Sequence, residues 1–134
     1  MIVYTKARDV LLLKRSQPFE FWQSVTGSLG SDESHAAAAT RELKEETGLT
    51  GEGVLAYTGV SRQFAIDPRW RNRFPPGTVE NVEYEYRYCM AESAAVQLSG
   101  DEHSDSQWLP IDAAIECVWS WTNKAALKSL QVTL

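Results

Sequence analysis

The chain has 134 residues, a net charge of −5, 43% apolar residues and 23% charged residues, which is typical of one soluble globular domain over residues 1–134. The absence of any lysine or arginine run argues against a nucleic-acid-binding protein. No apolar stretch approaches the roughly 18 residues that span a membrane. Cys89 and Cys117 lack CxxC spacing and no secretory leader opens the sequence, so we expect a cytoplasmic protein with reduced thiols.

The first part of the chain combines strand patterns with one helix pattern. Three β segments are expected, in MIVYTK, DVLLLKR and FWQSVTG, and a short polar turn joins the first two. Ser34 is a suitable N-cap for a helix from about His35 to Thr47. Gly48 supplies the residue after the last turn, where a left-handed backbone conformation is common.

The rest of the chain adds longer strands and two further helices. GVLAYTGVSRQFAI is expected to form a long strand with a bulge at its glycine, and VEYEYRYCMAE a strand whose side chains alternate between two faces. The intervening DPRWRNRFPPGT is expected to be an irregular loop. A short strand in SQWLPI, a helix that Pro110 opens, and a C-terminal amphipathic helix follow. The sum is an α/β (α+β) domain with helices packed against a mixed sheet.

The first of these helices carries an unusual group of acids. Glu42, Glu45 and Glu46 fall within an arc of about 100° around the helix axis, and like charges at this spacing repel one another. Hard divalent cations prefer carboxylate oxygens, so Mg²⁺ or Mn²⁺ could neutralise the group. The helix by itself is equally compatible with a solvated charged face, and the residues before it decide between the two interpretations.

Those residues complete a longer motif. From Gly27 to Leu49 the sequence has the pattern G-x5-E-x7-R-E-L-x-E-E-x-G-L. This pattern resembles the Nudix box, which is the defining motif of the Nudix hydrolase family, at every fixed position. The resemblance implies an α/β/α sandwich with a mixed β-sheet, in which the box forms a loop–helix–loop. It also implies an enzyme that acts on phosphoric anhydrides.

The same resemblance implies roles for individual residues in binding Mg²⁺, for which Mn²⁺ could substitute. The carbonyl group of Gly27 is expected to face the metal, and a glycine allows the close approach of backbone and ion. Glu42, Glu45 and Glu46 are expected to bind the metal and to position or deprotonate the attacking water. Which of these carboxylates acts as the base stays open.

Two further acidic positions are implied by resemblance. Glu102 is similar to an additional metal ligand in a loop before a late strand, with the neighbouring Asp101 as the substitute. Glu33 and Arg41 resemble a pair that ties the loop to the helix, a structural role in supporting the metal ligands. The alternative for Glu102 is an ordinary acidic loop.

Segments outside the box narrow the expected substrate. They are similar to a bacterial branch of the family that hydrolyses dihydroneopterin triphosphate in folate biosynthesis and also acts on dATP. The segments are FWQSVTGSL, RNRFPPGTVENVEY, DEHSDSQWLP and SWTNKAAL. We therefore expect cleavage between the α and β phosphorus atoms of a small-molecule triphosphate, which gives the monophosphate and pyrophosphate.

Four residues are candidates for substrate binding: Arg15, Trp22, Arg71 and Asn123. The arginines could contact phosphates, whereas Trp22 could stack on a flat ring or pack in the core. Further stacking candidates are Phe64, Trp70, Tyr84 and Trp121, and further basic candidates are Arg62 and Arg73. Both histidines, His35 and His103, are expected at the surface, which disfavours a zinc site.

Three other functions are compatible with parts of this pattern. The protein could be a general nucleoside triphosphate pyrophosphatase for nucleotide-pool sanitation, because only the ring pocket would differ. It could be a non-catalytic binding or sensor module, although all three glutamates of the box are retained. An RNA-end hydrolase is disfavoured by the acidic composition. The oligomeric state, monomer or homodimer, is left open by the sequence.

Overall fold

The computed structural model describes residues 1–26, 32–100 and 102–134. Gly27 and Asp101, for which roles are expected above, lie outside the described residues. The strands and helices follow one another in the order β1 (Ile2–Thr5), β2 (Asp9–Arg15), β3 (Phe21–Gln23), α1 (His35–Thr47), β4 (Gly53–Ala65), β5 (Glu80–Met90), β6 (His103–Pro110), α2 (Ile111–Cys117) and α3 (Trp121–Thr133), with a 3₁₀ helix at Pro68–Arg73 between β4 and β5.

The strands form one mixed sheet in which β2 has three partners. β6 pairs antiparallel with β2 along its whole length, so β1 and β3 must share the other edge. β1 pairs near Val10, and β3 pairs over Leu13–Arg15. β5 pairs parallel with β1 only from Arg87 onward, and β4 pairs antiparallel with β5. Residues 80–86 of β5 thus pair with β4 and, among the described residues, with no other strand.

Each face of the sheet has its own apolar core, because successive residues of a strand point to opposite faces. Val10 and Leu12 of β2 pack with α2 and α3, including Leu127 and Leu130. Leu11 and Leu13 pack on the opposite face with α1. This arrangement is the α/β/α sandwich that the resemblance implies, and it places α1 and α3 on opposite sides of the sheet.

Helix α1 begins and ends at the residues expected from the sequence. The Ser34 hydroxyl oxygen accepts a hydrogen bond from the Ala37 amide at 3.1 Å, and Gly48 ends the helix with a φ of 76°. Leu43 and Thr47 are buried, together with Ala38 and Ala39, whereas Ala36 is exposed. The alanines allow the helix to lie close to the sheet.

Several elements differ in detail from the sequence-based expectation. The segment expected to be irregular contains the 3₁₀ helix Pro68–Arg73, whose first turn is capped by the Asp67 side chain. The last strand begins at His103 rather than at Ser106, because its pairing with β2 extends to Arg15. The bulge in β4 occurs at Gly59, as expected, with a φ of 83°. None of the described helices has the length and apolar character needed to cross a membrane.

Candidate active site

A cleft of about 670 Å³ lies between β3, the first half of β5 and the first turn of α3. Its volume is within the usual range of small-molecule sites. Residues from α1 line one part of it, and the first turn of α3 lines another. Both helical layers therefore contribute to one cleft, although they lie on opposite faces of the sheet.

The acidic cluster, defined as Glu42, Glu45, Glu46 and Glu102, lines this cleft. The three glutamates of α1 differ in burial: Glu46 is 4% exposed, whereas the side chains of Glu42 and Glu45 are 12% and 59% exposed. Neither carboxylate oxygen of Glu46 has a hydrogen-bond partner among the described residues. A buried carboxylate without compensation is costly, so this position requires a cation or a proton.

The pKa values of the two inner carboxyl groups reflect that cost. Burial raises the pKa of Glu46 to about 8, and the charges of Glu102 and Glu42 add to the rise, although the nearby Thr26 backbone offsets a little of it. Burial also raises the pKa of Glu42 to about 7, against the opposing effect of the Arg41 charge. Without a bound cation, the folded protein therefore holds protons in this cleft near neutral pH.

The donor atoms of the acidic cluster fit a divalent cation. One ligand atom each of Glu46, Glu102 and His103 lies within 4.8 Å of the others. Two carboxylates dominate this set, and Glu42 and Glu45 of the same helix line the adjacent wall. Oxygen-rich sites of this kind suit Mg²⁺ and Mn²⁺. The residues that are present therefore fit the metal that the motif implies.

Arg41 connects the helix to the segment before it. Its Nε and Nη2 atoms donate to the two carboxylate oxygens of Glu33 at 2.8 and 2.9 Å, and Nη1 donates to Glu45 at 3.0 Å. A guanidinium group and a carboxylate form two parallel hydrogen bonds only in one planar geometry. The pair thus fixes residue 33 against α1 despite its eight-residue separation from Arg41 in sequence.

His103 is buried, and the expectation that it lies at the surface is wrong. It is 2% exposed, its Nε2 atom lies 3.0 Å from Gln23 Nε2, and the same atom lies 3.7 Å from Glu46 Oε1. Burial lowers the pKa of His103, so the ring is neutral near pH 7. The cause of the error is that β6 starts earlier than expected, which brings His103 beside Arg15. His35, the other histidine, is half-buried and stacks on Tyr84 with ring centroids 4.2 Å apart.

Arg15 is a second basic residue beside the acidic cluster. It is 8% exposed, lines the cleft and donates from Nε to the Gln17 carbonyl oxygen at 2.9 Å. Burial and the neighbouring Arg73 lower its pKa, and the charges of Glu102 and Glu46 oppose this effect. Arg15 and Arg73 therefore both place positive charge at the cleft.

The first turn of α3 forms the far wall of the cleft. Asn123 is buried, and its Oδ1 atom accepts a hydrogen bond from the Ser24 amide at 3.0 Å, which ties the helix to the segment after β3. Its amide group still lines the cleft, whereas Trp121 is 57% exposed there. Asn123 therefore both joins two elements and faces the cleft.

Two of the expected substrate-binding residues do not line the cleft. Trp22 points to the opposite face from its neighbours Phe21 and Gln23 and packs against the core of α2 and α3. Arg71 is exposed on the 3₁₀ helix. Of the other candidates, Phe64, Trp70, Trp121 and Arg73 line the cleft, whereas Tyr84 lines a smaller neighbouring cavity and Arg62 pairs with Glu85.

Some cleft residues were not expected from the sequence. Glu83, Asn81, Gln23 and Phe21 line the cleft, as do Trp119 and Thr122. The alternation of β5 placed Glu83 on a polar face, and that pattern is typical of a solvated surface. In the structure this part of β5 forms a wall of the cleft.

The NUDIX domain matches residues 1–129 of the chain, in agreement with the fold and with the residues of the box. The chain therefore belongs to the NUDIX family, which confirms the expected family and fold. It is 32% identical to dihydroneopterin triphosphate diphosphatase of Escherichia coli (strain K12), over 98% of this chain and 89% of the relative. The protein of the same name from Haemophilus influenzae is 33% identical, over 96% of this chain and 82% of the relative.

A solved structure supports the same relationship. The E. coli dihydroneopterin triphosphate pyrophosphohydrolase matches with a TM-score of 0.92 and 29% sequence identity, over 99% of this chain and 92% of that chain. The similarity to this bacterial branch, which the segments outside the box indicate, is thus confirmed across nearly the whole chain.

Proposed function

We propose that this protein is a metal-dependent pyrophosphohydrolase that converts dihydroneopterin triphosphate to the monophosphate and pyrophosphate. The observation that carries the proposal is the buried Glu46 carboxylate, which has no hydrogen-bond partner among the described residues and lies beside Glu42 and Glu102. The names of the E. coli and H. influenzae relatives support this substrate and an enzyme acting on a phosphoric anhydride.

Mg²⁺ is the proposed cofactor, and Mn²⁺ is proposed to substitute for it. Glu42, Glu45, Glu46 and Glu102 would hold the metal, and the Gly27 carbonyl group would complete the set. When bound, a divalent cation neutralises charge on phosphate oxygens and acidifies a water molecule. The acidic cluster repels bare phosphate, so the substrate should bind with its metal and not before it.

The chain's own residues provide positioning for the reaction. Arg15 is buried beside the acidic cluster and would bind phosphate oxygens at a fixed place, since its Nε atom is already held by the Gln17 carbonyl. Arg41 and Glu33 hold the loop against α1, so the carboxylates keep their spacing. In-line attack of water on phosphorus depends mainly on such positioning. Free Cys89 and Cys117 support the cytoplasm as the place of action.

Product identification tests the proposed reaction. Dihydroneopterin triphosphate is incubated with the protein and Mg²⁺, and orthophosphate is measured with and without added inorganic pyrophosphatase. We expect orthophosphate only when pyrophosphatase is present, and the monophosphate as the pterin product. Orthophosphate without pyrophosphatase would show cleavage at the outer anhydride bond, and no turnover with Mg²⁺ or Mn²⁺ would refute dihydroneopterin triphosphate as the substrate.

A further inference from the structure

The start of β6 contains a β-bulge that changes the direction of one side chain. Lys14 of β2 pairs with Asp105, but the next residue, Arg15, pairs with His103 and not with Ser104. Residues that pair across neighbouring strands point to the same face of a sheet. Arg15 lines the cleft, so the bulge turns His103 to the face on which the acidic cluster lies.

The His103 ring lies against the most buried carboxylate of the acidic cluster. His103 Nε2 is 3.7 Å from Glu46 Oε1, and the two residues are 2% and 4% exposed. One ligand atom each of Glu46, Glu102 and His103 lies within 4.8 Å of the others. Two ligand atoms of one octahedral ion, with bonds of about 2.1 Å, are roughly 3 Å apart when adjacent and roughly 4 Å apart when opposite. The spacing of the three residues is therefore close to that of ligands around one ion.

The Gln23 side chain indicates which ring nitrogen of His103 carries the lone pair. Gln23 Nε2 is 3.0 Å from His103 Nε2, and an amide nitrogen can only donate. With the amide in this orientation, His103 Nε2 accepts the hydrogen bond and the proton of the neutral ring is on Nδ1. The nitrogen closer to Glu46 is thus the unprotonated one, which is the form that binds a metal ion.

The protein provides little else to compensate these buried groups. No lysine or arginine forms an ion pair with Glu46 in the part of the chain that the structure describes. Neither Glu46 oxygen has a hydrogen-bond partner there, and the same holds for His103 Nδ1. An unprotonated nitrogen beside a carboxylate is unfavourable unless a cation or a proton lies between them. A cation could reach this position from the cleft, because Glu46 and Glu102 both line it.

We propose that His103 Nε2 is a direct ligand of the cation held by Glu46 and Glu102, and that this nitrogen makes the site select Mn²⁺ over Mg²⁺. The proposal rests on the proposed function and adds the metal preference to it. Imidazole is a ligand of transition metals, whereas Mg²⁺ prefers oxygen ligands and retains water molecules. The metal would replace the hydrogen bond from Gln23, which occupies the Nε2 lone pair in the metal-free protein.

Electron spin echo envelope modulation of protein-bound Mn²⁺ tests the proposal without any substrate. The method detects coupling between the Mn²⁺ electron spin and the nitrogen-14 nucleus of a directly bound imidazole. The protein carries no histidine tag, and less than one equivalent of Mn²⁺ is added. The chain has only two histidines, so two variants suffice to assign the signal. We expect the coupling in the wild type and in His35→Gln, and its loss in His103→Gln.

His35→Gln is the matched control, because it is the same chemical change at the other histidine. His35 is half-buried, contacts Tyr84 and Tyr86, and does not line the cleft. If His103→Gln does not fold, a signal that persists in His35→Gln still assigns the coupling to His103 by elimination. A wild-type spectrum without imidazole coupling would overturn the proposal with no variant needed.

Metal affinities provide the second measurement. The signal of free Mn²⁺ gives the Kd of Mn²⁺, and competition gives the Kd of Mg²⁺. Loss of the nitrogen ligand in His103→Gln should raise the Kd of Mn²⁺ by about tenfold to a hundredfold. The Kd of Mg²⁺ should change by no more than about threefold, because water can take the place of the nitrogen. Gln23→Ala, which removes the competing donor, should bind Mn²⁺ at least as tightly as the wild type.

The outcomes separate this proposal from the proposed function. Weaker Mn²⁺ binding in His103→Gln without imidazole coupling in the wild type would overturn the proposal, because His103 would then only orientate Glu46. Equal losses of Mn²⁺ and Mg²⁺ affinity would overturn the metal preference. Turnover of dihydroneopterin triphosphate by a protein without the coupling would refute the role of His103 and leave the proposed function intact. Coupling in a protein that does not turn over this triphosphate would support His103 and refute the proposed substrate.

Discussion

The two ends of the cleft are built on different physical principles. The acidic cluster contains carboxylates without enough compensating charge, and burial raises the pKa values of Glu46 and Glu42 to about 8 and about 7. The opposite wall, which we call the ring end and define by Phe64, Asn81, Glu83 and Trp121, has a single carboxylate, Glu83, whose Oε2 atom accepts a hydrogen bond from the Thr122 hydroxyl. One end is therefore unfavourable until a cation binds, whereas the other has no comparable buried carboxylate without a partner.

This difference shows how stability and function are divided in the protein. Uncompensated buried charge lowers the free energy of unfolding of the metal-free protein. A ligand that binds only the native state restores that free energy. The ring end has no comparable cost, because Glu83 keeps contact with solvent and with Thr122. Changes at the acidic cluster should thus alter activity and stability together, while changes at the ring end should leave the stability unchanged.

The largest effect is expected from Glu46→Gln. Loss of a metal ligand should lower kcat/KM by at least about a hundredfold, and removal of the buried charge should raise the free energy of unfolding of the metal-free protein above pH 8. The measurements are steady-state kinetics in Mg²⁺ and urea denaturation in EDTA. Glu116→Gln, an exposed carboxylate on α2, is the matched control. Undiminished turnover in Glu46→Gln would show that the acidic cluster is not catalytic.

A smaller effect is expected from Arg41→Lys. Lysine keeps the charge but cannot form the two parallel hydrogen bonds to Glu33. The Mg²⁺ concentration for half-maximal activity should rise by about tenfold to a hundredfold, as for other residues that orientate metal ligands. A double-mutant cycle with Glu33→Gln provides the check. Additive losses would contradict the role of the pair as one unit.

The pH dependence of stability should distinguish the two ends further. A raised carboxyl pKa means that the folded protein retains a proton that the unfolded chain has released. The contribution of this proton to the free energy of unfolding is therefore largest at low pH and disappears as pH rises through the pKa of the folded protein. With pKa values of about 8 for Glu46 and about 7 for Glu42, the metal-free protein should lose about 1.5 kcal/mol between about pH 7 and pH 9.

Urea denaturation in EDTA across this range measures the loss. The lowered pKa of His103 acts in the opposite direction, but its contribution is complete near the lower limit of the range. Glu46→Gln should remove most of the slope, whereas Glu83→Gln at the ring end should preserve it. The same slope in the wild type and in Glu46→Gln would mean that other groups cause it.

The residues that could be predicted from the sequence are those that lie close together in it. Helix α1, with its Ser34 cap, its Gly48 end and its three glutamates, is a local pattern, and the box identifies its chemistry. The strands and their order along the chain could also be predicted, because period-2 alternation and turn residues are local signals.

The ring end could not be predicted in this way. Glu83 is a cleft residue because the fold brings the first half of β5 close to β3 and to the start of α3, and such proximity is a property of the whole fold. His103 is buried for a similar reason, since the register of β6 on β2 extends to Arg15. Trp22 was a plausible ligand contact by type, but its position between Phe21 and Gln23 directs it to the other face.

The smallest effect is expected from Arg71→Ala, which tests whether the phosphate contacts are confined to the acidic end. Arg71 is exposed on the 3₁₀ helix and does not line the cleft, so KM and kcat should each change by less than about twofold. Arg15→Gln is the contrasting variant, since Arg15 is buried beside Glu102 and Glu46, and its KM should rise by about tenfold or more. A comparable rise in KM for Arg71→Ala would mean that the 3₁₀ helix moves toward the bound triphosphate, so that the phosphate site extends beyond the acidic cluster.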